Sequence, residues 1–189
     1  MWQPVIDNTS GNTLRDFLNH ALRKYKSNLD VASAFFNIEA FGMVKENIKG
    51  VKRFRLLLGQ VPEVKTETTL GDLLLEAIQE EIEDFDLSRE TNSLVKDFLE
   101  FLKRDTVEVR LFKGFLHGKT YIFDECVVMG SSNFTAGGLT REGELNTWLQ
   151  KPHADYIRKK WFEKFWKQSH DFKEELVQIL ENSRFGTRE

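Results

Sequence analysis

Two short apolar segments, residues 29–36 and 54–58, constrain the fold of this chain most. Both are largely apolar along their length, which is typical of strands that are buried on both faces. Strands of this kind need a covering layer on each side. Because amphipathic helical patterns alternate with such strands along the chain, the sequence predicts an α/β fold in which a mixed β-sheet is flanked by helices on both faces.

The remaining secondary structure follows from hydrophobic periodicity. The predicted sheet contains residues 31–36, 54–58, 107–112, 119–123 and 127–129, and residues 145–149 also have strand character. Helices are predicted at residues 14–25, 38–49, 70–82 and 88–102, and in two pieces from His153 to near Asn182. Segment 60–69 is predicted to be a connecting loop, and the tail 183–189 to have little to pack against.

Length and composition are typical of a globular protein. The chain has 189 residues, of which 40% are hydrophobic and 30% charged. We expect a single domain over residues 1–189, with an α/β core over about 1–150 and C-terminal helices over 151–182. No run approaches the roughly 18 to 20 apolar residues that a membrane span needs, and a cytoplasmic location is expected.

A basic and aromatic cluster lies near the C-terminus of this otherwise acidic chain. The net charge of −3 gives no global attraction for nucleic acid, so phosphate binding must depend on local clusters of lysine and arginine. Basic and aromatic residues are interleaved on one predicted helix: Lys151, Arg158, Lys159, Lys160, Lys164 and Lys167, with Trp161, Phe162, Phe165 and Trp166. This pattern favours a packed aromatic face and a solvated basic face.

The residues most informative about chemistry begin at His117. Lys119 follows two positions later, and Asp124 comes after four further residues. Residues two apart in a strand point to the same side, so His117 and Lys119 are expected to project into one cleft. A neutral imidazole can attack phosphorus, while a nearby ammonium group stabilises the negative charge on the phosphoryl oxygens. The pair is therefore a candidate nucleophile and anion site.

A second polar group follows on the next strand. Ser131 and Asn133 are also two apart and come after Gly130, so a hydroxyl and an amide are expected to face the same anion. Glu144 lies just before a further strand, where its carboxylate is suited to hold the second imidazole nitrogen of His117. The sequence thus supplies a nucleophile, an orienting carboxylate and a phosphate clamp.

These residues resemble the signature of the phospholipase D superfamily. That signature is a histidine, any residue, a lysine, four residues and an aspartate, followed by a Gly-Ser-any-Asn element, and every position is matched here. The resemblance implies a phospholipase D-like sheet in which His117 forms a phosphohistidine and Lys119, Ser131 and Asn133 bind the phosphate. It also implies a structural or tuning role for Asp124 and a hydrogen bond from Glu144 to the histidine.

The family's active site uses two such motifs, whereas this chain has one. The other histidines, His20, His153 and His170, are not followed two positions later by lysine. A single motif per chain is similar to the small bacterial nuclease branch, in which two identical subunits supply the two halves. A homodimer that completes the active site is therefore implied. The organisation also resembles domains at the N-termini of bacterial helicase-like and restriction proteins, so a helicase domain in a longer parent chain is a further expectation.

Two main functional hypotheses follow from the motif and the resemblance. The first is a metal-independent phosphodiesterase without a cofactor, in particular an endonuclease that cleaves DNA through a phosphohistidine. The second is a non-catalytic or weakly catalytic module that binds phosphate or nucleic acid within a larger helicase-like or restriction protein. Lipid hydrolysis or phosphatidyl transfer is a third alternative, because the superfamily includes both.

Overall fold

Eight strands form one sheet in the computed structural model, which describes residues 2–60 and 69–186. In chain order they are β1 (Val5–Ile6), β2 (Leu29–Ser33), β3 (Phe54–Gln60), β4 (Val107–Phe115), β5 (Lys119–Phe123), β6 (Cys126–Gly130), β7 (Asn146–Gln150) and β8 (His170–Asp171). Across the sheet the order is β1, β7, β6, β5, β2, β3, β4, β8. Strands β2, β3 and β4 run parallel, and the other pairs are antiparallel.

Eight α-helices accompany the sheet in the described residues, and the longer ones before β4 begin at a side chain that accepts from a first-turn N–H. They are α1 (Leu14–Tyr25), α2 (Ile38–Ile48), α3 (Leu70–Asp84), α4 (Arg89–Leu102), α5 (Ala136–Thr140), α6 (Lys151–Tyr156), α7 (Glu163–Trp166) and α8 (Lys173–Asn182). Thr13, Asn37 and Ser88 each accept a hydrogen bond from a first-turn N–H. Thr69 and Asp72 form a reciprocal capping box at the start of α3. Among the described residues, every helix is too short or too polar to cross a membrane.

The predicted α/β architecture is confirmed, with a mixed sheet covered by helices on both faces. All five residues of β2 are buried, as are all five of β5. On one face, α1, α2, α4 and α8 enclose a large core that contains Val31, Leu56 and Tyr121. On the other face, the helices after β7 pack on a smaller cluster around Leu57 and Ile122. Because the central strands are buried on both sides, largely apolar runs located them in the sequence.

The observed bounds differ from the predicted ones at several points. Strand β2 ends at Ser33 rather than at Phe36, because Phe35 is 51% exposed and Phe36 makes only an isolated bridge to Phe134. The two-residue edge strands β1 and β8 are too short to show a period, so the sequence did not predict them. Most of the predicted loop at 60–69 lies outside the described residues, which exclude 61–68.

The expectation that the tail has little to pack against is wrong for residues 183–186. Phe185 is 4% exposed and belongs to the larger core. The guanidinium of Arg184 donates hydrogen bonds to the carbonyls of Ile82 (3.2 Å) and Glu83 (3.0 Å), at the end of α3. Residues 183–186 therefore pack between α3 and α8. The sequence did not predict this packing, because the segment is polar apart from one aromatic residue. Residues 187–189 lie outside the described part of the chain.

A buried ion network joins the C-terminal helices to the sheet. Asp30 in β2 is fully buried, and its carboxylate accepts hydrogen bonds from Arg55 Nε (2.7 Å) and Nη2 (2.8 Å) and from Arg158 Nε (2.8 Å). Arg55 also pairs with Glu163 at 2.6 Å. Burial raises the pKa of Asp30, but its hydrogen bonds to Arg55 and the surrounding arginine charges outweigh burial and hold that pKa below the ordinary value.

The C-terminal helical region forms the two pieces that the sequence predicted, a continuous run over residues 151–166 and then α8. A π-helical segment, Ile157–Phe162, joins α6 to α7, and β8 separates α7 from α8. The interleaved pattern correctly places Phe162 and Trp166 in the core and Lys159, Lys160, Lys164 and Lys167 in solvent. Arg158 departs from the predicted basic face, because its side chain is only 13% exposed and its charge belongs to the buried network.

Candidate active site

The sheet topology brings the motif residues to one end of the central strands. Strand β5 runs antiparallel between β2 and β6, so its first residue, Lys119, pairs with Gly130 at the end of β6. Strand β2 ends at the same edge with Ser33, and Ser131 and Asn133 follow directly after β6. His117 lies in the short connection between β4 and β5. Segments about 100 residues apart in sequence thus meet at one site.

His117 and Lys119 lie in direct contact, as expected, although His117 precedes β5 and the two are not neighbours on one strand face. The ammonium Nζ of Lys119 is 3.1 Å from Nδ1 and 3.1 Å from Nε2 of His117. Lys119 is buried, with 7% of its surface exposed, whereas His117 is exposed. Burial lowers the pKa of Lys119, and the charge of Glu144 opposes this effect only in part. An accessible imidazole therefore sits beside a largely buried amine.

Asn133 is anchored by the end of β2. Its Oδ1 accepts a hydrogen bond from the N–H of Ala34 (2.9 Å) and lies 3.1 Å from Oγ of Ser33. The Ser33 hydroxyl also accepts from the N–H of Phe134 at 2.9 Å. With its oxygen held in this way, Asn133 keeps its Nδ2 as a donor that has no protein partner among the described residues. A fixed amide donor of this kind is suited to a phosphate oxygen.

Glu144 contacts Ser131 rather than the histidine. The hydroxyl of Ser131 donates a hydrogen bond to Oε2 of Glu144 and accepts one from the N–H of Leu145 at 3.0 Å. Within the described part of the chain, no hydrogen bond joins Glu144 to His117. The structure thus brings Glu144, Ser131, Lys119 and His117 to the same sheet edge, but it does not give Glu144 the histidine contact that the resemblance implies.

Asp124 lies at the opposite end of β5, a strand of five residues or about 17 Å. Its Oδ1 pairs with Nη1 of Arg158 at 2.6 Å, and its Oδ2 accepts from Nδ2 of Asn28 at 3.2 Å. The motif aspartate is therefore part of the ion network under the C-terminal helices, and it is not near the imidazole. A structural role is the one that this position supports.

Two glycines make the backbone at this edge possible. A Cβ atom on Gly130 would lie 2.3 Å from the carbonyl oxygen of Leu145, and one on Gly138 would lie 2.0 Å from that of Asn133. Neither contact can be relieved by moving a side chain, so both positions require glycine. Gly130 and Gly138 thereby let the segments that carry Ser131 and Asn133 pack closely.

Comparison with known proteins agrees with this arrangement. The profile of a family described as cardiolipin synthase, PLD-like domain, matches residues 18–166, a range that includes every motif residue. The chain belongs to this family. The expected membership of the phospholipase D superfamily is confirmed at that level. No curated protein sequence matches the chain.

Solved structures share the fold of this PLD-like domain at low sequence identity. Nuc from Salmonella typhimurium, a phospholipase D family member, is 16% identical with a TM-score of 0.52, over 83% of this chain and 89% of Nuc. TrmBL2, an archaeal chromatin protein with a novel mode of DNA binding, is 14% identical with a TM-score of 0.52, and the match covers 88% of this chain and 52% of TrmBL2. Phosphatidylserine synthase from Haemophilus influenzae Rd KW20 is 14% identical with a TM-score of 0.55, and the match covers 87% of this chain and 38% of the synthase.

Sequence reasoning missed two polar residues that position the site in this PLD-like domain. One is Ser33, whose signal was a polar residue at the end of an otherwise apolar strand. The other is Asn146, which accepts a hydrogen bond from the N–H of Ser132 (3.3 Å) and donates one to its hydroxyl (2.8 Å). Both are buried. Each fixes the backbone that carries Ser131 and Asn133, a role that becomes visible only when the strands are paired.

An apolar groove of about 510 Å³ opens beside His117. Its walls come from β4 to β6 and from the helices that follow β7, and they include Phe115, Met129, Tyr156, Ile157, Trp161 and Phe165. The Phe115 ring lies nearly parallel to the His117 ring, with 6.3 Å between centroids. A Cβ atom on Gly118 would lie 2.7 Å from the Trp161 ring, so the absence of a side chain at this motif position lets Trp161 pack directly against the backbone next to His117.

Proposed function

We propose that the chain is a metal-independent phosphodiesterase, specifically an endonuclease that cleaves DNA through a phosphohistidine in a site shared by two chains. The observation that carries the proposal is the contact of His117 with Lys119, at 3.1 Å, on the sheet edge that also holds Asn133. Membership of the PLD-like family supports phosphodiester chemistry at this edge. No separate cofactor is needed for the steps below.

The proposed reaction has two displacements at phosphorus. A nitrogen of His117 attacks the phosphorus, the bond to the leaving oxygen breaks, and that oxygen takes a proton from a second histidine. Water then attacks the phosphohistidine and gives its proton to the second histidine, while the bond from phosphorus to nitrogen breaks. Lys119 and the Nδ2 of Asn133 stabilise the charge on the phosphoryl oxygens in both steps.

The second histidine is proposed to be His117 of another copy of the chain. His20, in α1, packs against Trp2 with 5.7 Å between ring centroids, and His170 lies in the edge strand β8. His153 is exposed in α6. A two-fold axis at the motif edge would place two identical imidazoles around one phosphate, in an isologous interface. The proposed enzyme is therefore a homodimer.

Hydrolysis is expected to continue in excess EDTA, because Lys119, Asn133 and the histidines handle the charge in place of a divalent ion. The measurement is cleavage of supercoiled DNA and of a fluorogenic phosphodiester, with and without the chelator. Vanadate should inhibit, since it resembles five-coordinate phosphorus. Complete loss of activity in EDTA that magnesium restores would contradict this mechanism.

Specific activity is expected to fall on dilution in proportion to the dimer fraction, because each site needs two copies of His117. Sedimentation velocity at each assay concentration supplies that fraction. Mixed dimers of His117→Asn and Lys119→Ala chains should not regain full activity, since each composite site has a single imidazole at position 117. A monomer with full activity at every dilution would rule out the shared site.

A second candidate function is a phosphate- or nucleic-acid-binding module without turnover, within a larger helicase-like or restriction protein. The fold likeness to TrmBL2, a chromatin protein that binds DNA, favours this alternative. We propose that residues 1–189 act as one domain in either case, because Arg55, Arg158 and Glu163 tie the C-terminal helices to the sheet. DNA binding without cleavage under any of the conditions above would select this alternative.

A further inference from the structure

A residue that lines the apolar groove beside His117 carries a buried polar atom without a partner among the described residues. Thr120, the second residue of β5, lines the groove and is 3% exposed. Its Oγ1 is fully buried and has no hydrogen-bond partner among the described residues. A buried hydroxyl without a partner costs free energy. The other walls, apart from His117 and Lys119, are mainly aromatic and aliphatic, so a ligand with a polar edge can satisfy this hydroxyl only if the Thr120 side chain turns toward the groove on binding.

The aromatic walls of the groove are open to solvent. Phe115 is 63% exposed and Tyr156 is 66% exposed, although large aromatic rings of this kind are more often buried. Trp161 and Phe165 meet edge to face, with 5.4 Å between centroids. Exposed aromatic rings around a concave surface provide the flat, apolar contacts that a planar ligand needs. They supply few hydrogen bonds, so they do not by themselves select one such ligand.

Exposed lysines lie on the two segments that supply aromatic walls to this groove. Lys159 and Lys160 are exposed on the π-helical segment next to Trp161, and Lys164 lies over the Phe165 ring at 5.5 Å from its centroid. On the other side, Lys113 is exposed in β4, two residues before Phe115. Lysines on the same helical stretch as the aromatic walls are suited to phosphates that flank the occupant of the groove.

We propose that the groove binds a nucleobase next to the phosphate held at His117, so that the chain acts on single-stranded or unpaired nucleic acid. An acyl chain would fill the apolar walls but leave the Thr120 hydroxyl unpaired, whereas a base offers both a flat apolar face and acceptors on its edge. In a duplex the bases are stacked and paired, so only an unpaired nucleotide can enter. This inference rests on the proposed phosphodiesterase function.

The test compares strands with and without bases, using the His117→Asn chain so that the ligand stays intact. Fluorescence anisotropy measures the affinity for a labelled single strand, its duplex, and an abasic strand of equal length. We expect the single strand to bind at least about tenfold more tightly than the abasic strand. Adding Tyr156→Ala should weaken single-strand binding by about fivefold or more and leave abasic binding unchanged.

Two further variants separate base binding from general effects. Thr120→Val removes the hydroxyl at nearly constant shape, so it should weaken binding of the single strand, not of the abasic strand, without lowering the melting temperature. Leu87→Ala is the matched control, because Leu87 is 73% exposed and lies outside the groove. This control should bind every ligand as the parent does.

Three outcomes would overturn the base site. The first is equal affinity for the single strand and the abasic strand. The others are that Tyr156→Ala changes only dimerisation, or that it weakens binding to anionic phosphatidylglycerol vesicles and not to DNA. The unsubstituted chain then distinguishes the two proposals. Cleavage of the abasic strand would preserve the phosphodiesterase proposal while the base site fails. Base-dependent binding with no cleavage of either strand would preserve the base site while the phosphodiesterase proposal fails.

Discussion

Replacement of His117 by asparagine is expected to lower the rate of phosphodiester hydrolysis by at least about 10³-fold. The substitution removes both the attacking nitrogen and the proton donor that the partner chain supplies, because the same residue fills both roles in a shared site. Since His117 is exposed, the fold and the melting temperature should be unchanged. The measurement is single-turnover cleavage of a labelled oligonucleotide, alongside thermal unfolding.

His153→Asn is the matched control for this experiment. His153 is exposed like His117, lies in α6, and does not line the groove beside His117. Its substitution should leave the cleavage rate within about twofold of the parent, since surface changes away from a site have small effects. A His117→Asn chain that retains full activity would refute the proposed nucleophile. Loss of activity in both variants would point to a general effect of histidine replacement.

Replacement of Asp30 by alanine is expected to destabilise the protein by about 3–5 kcal/mol. The change removes the carboxylate that pairs with Arg53, Arg55 and Arg158 and leaves these three cations without that counter-charge. Of these, Arg55 is the most deeply buried, with 7% of its side chain exposed. Urea unfolding, followed by tryptophan fluorescence, measures the free energy of unfolding.

Asp97→Ala provides the comparison, because Asp97 pairs with more than one cation as Asp30 does, but near the surface. Its carboxylate lies 3.0 Å from Lys45 and 3.2 Å from Lys49, and its side chain is 23% exposed. Solvent screening limits the expected cost to about 1 kcal/mol or less. Equal destabilisation by the two substitutions would show that the Asp30 network adds nothing beyond an ordinary ion pair.

The cost of losing Asp30 is also expected to depend on pH. Its pKa is lower in the folded chain than the ordinary aspartate value of about 3.9. The carboxylate therefore contributes its full stabilisation above that ordinary value, and the contribution is lost as the pH falls through the lowered folded pKa. The difference in unfolding free energy between the parent and Asp30→Ala should be constant near neutral pH and shrink in acid.

The sequence by itself determined the class of fold and the identity of the motif. Strands β2 and β3 are buried on both faces, so their largely apolar composition identifies them without knowledge of their neighbours. The two-residue spacing predicted that His117 and Lys119 lie together, and they do, although His117 lies just before β5 rather than in it. Both inferences need only the residue types within a few positions of one another in the sequence.

Only the tertiary structure decided which distant residues complete the site. Ser33 and Ala34 hold Asn133 across about 100 positions of sequence, and Arg158 reaches Asp30 across 128. These contacts exist because β5 is inserted antiparallel between β2 and β6, a pairing that no local pattern specifies. The same topology places Asp124 at the far end of β5 from His117, although the two belong to one linear motif. Sequence spacing fixes the side of a strand on which a residue lies, whereas strand pairing fixes its neighbours.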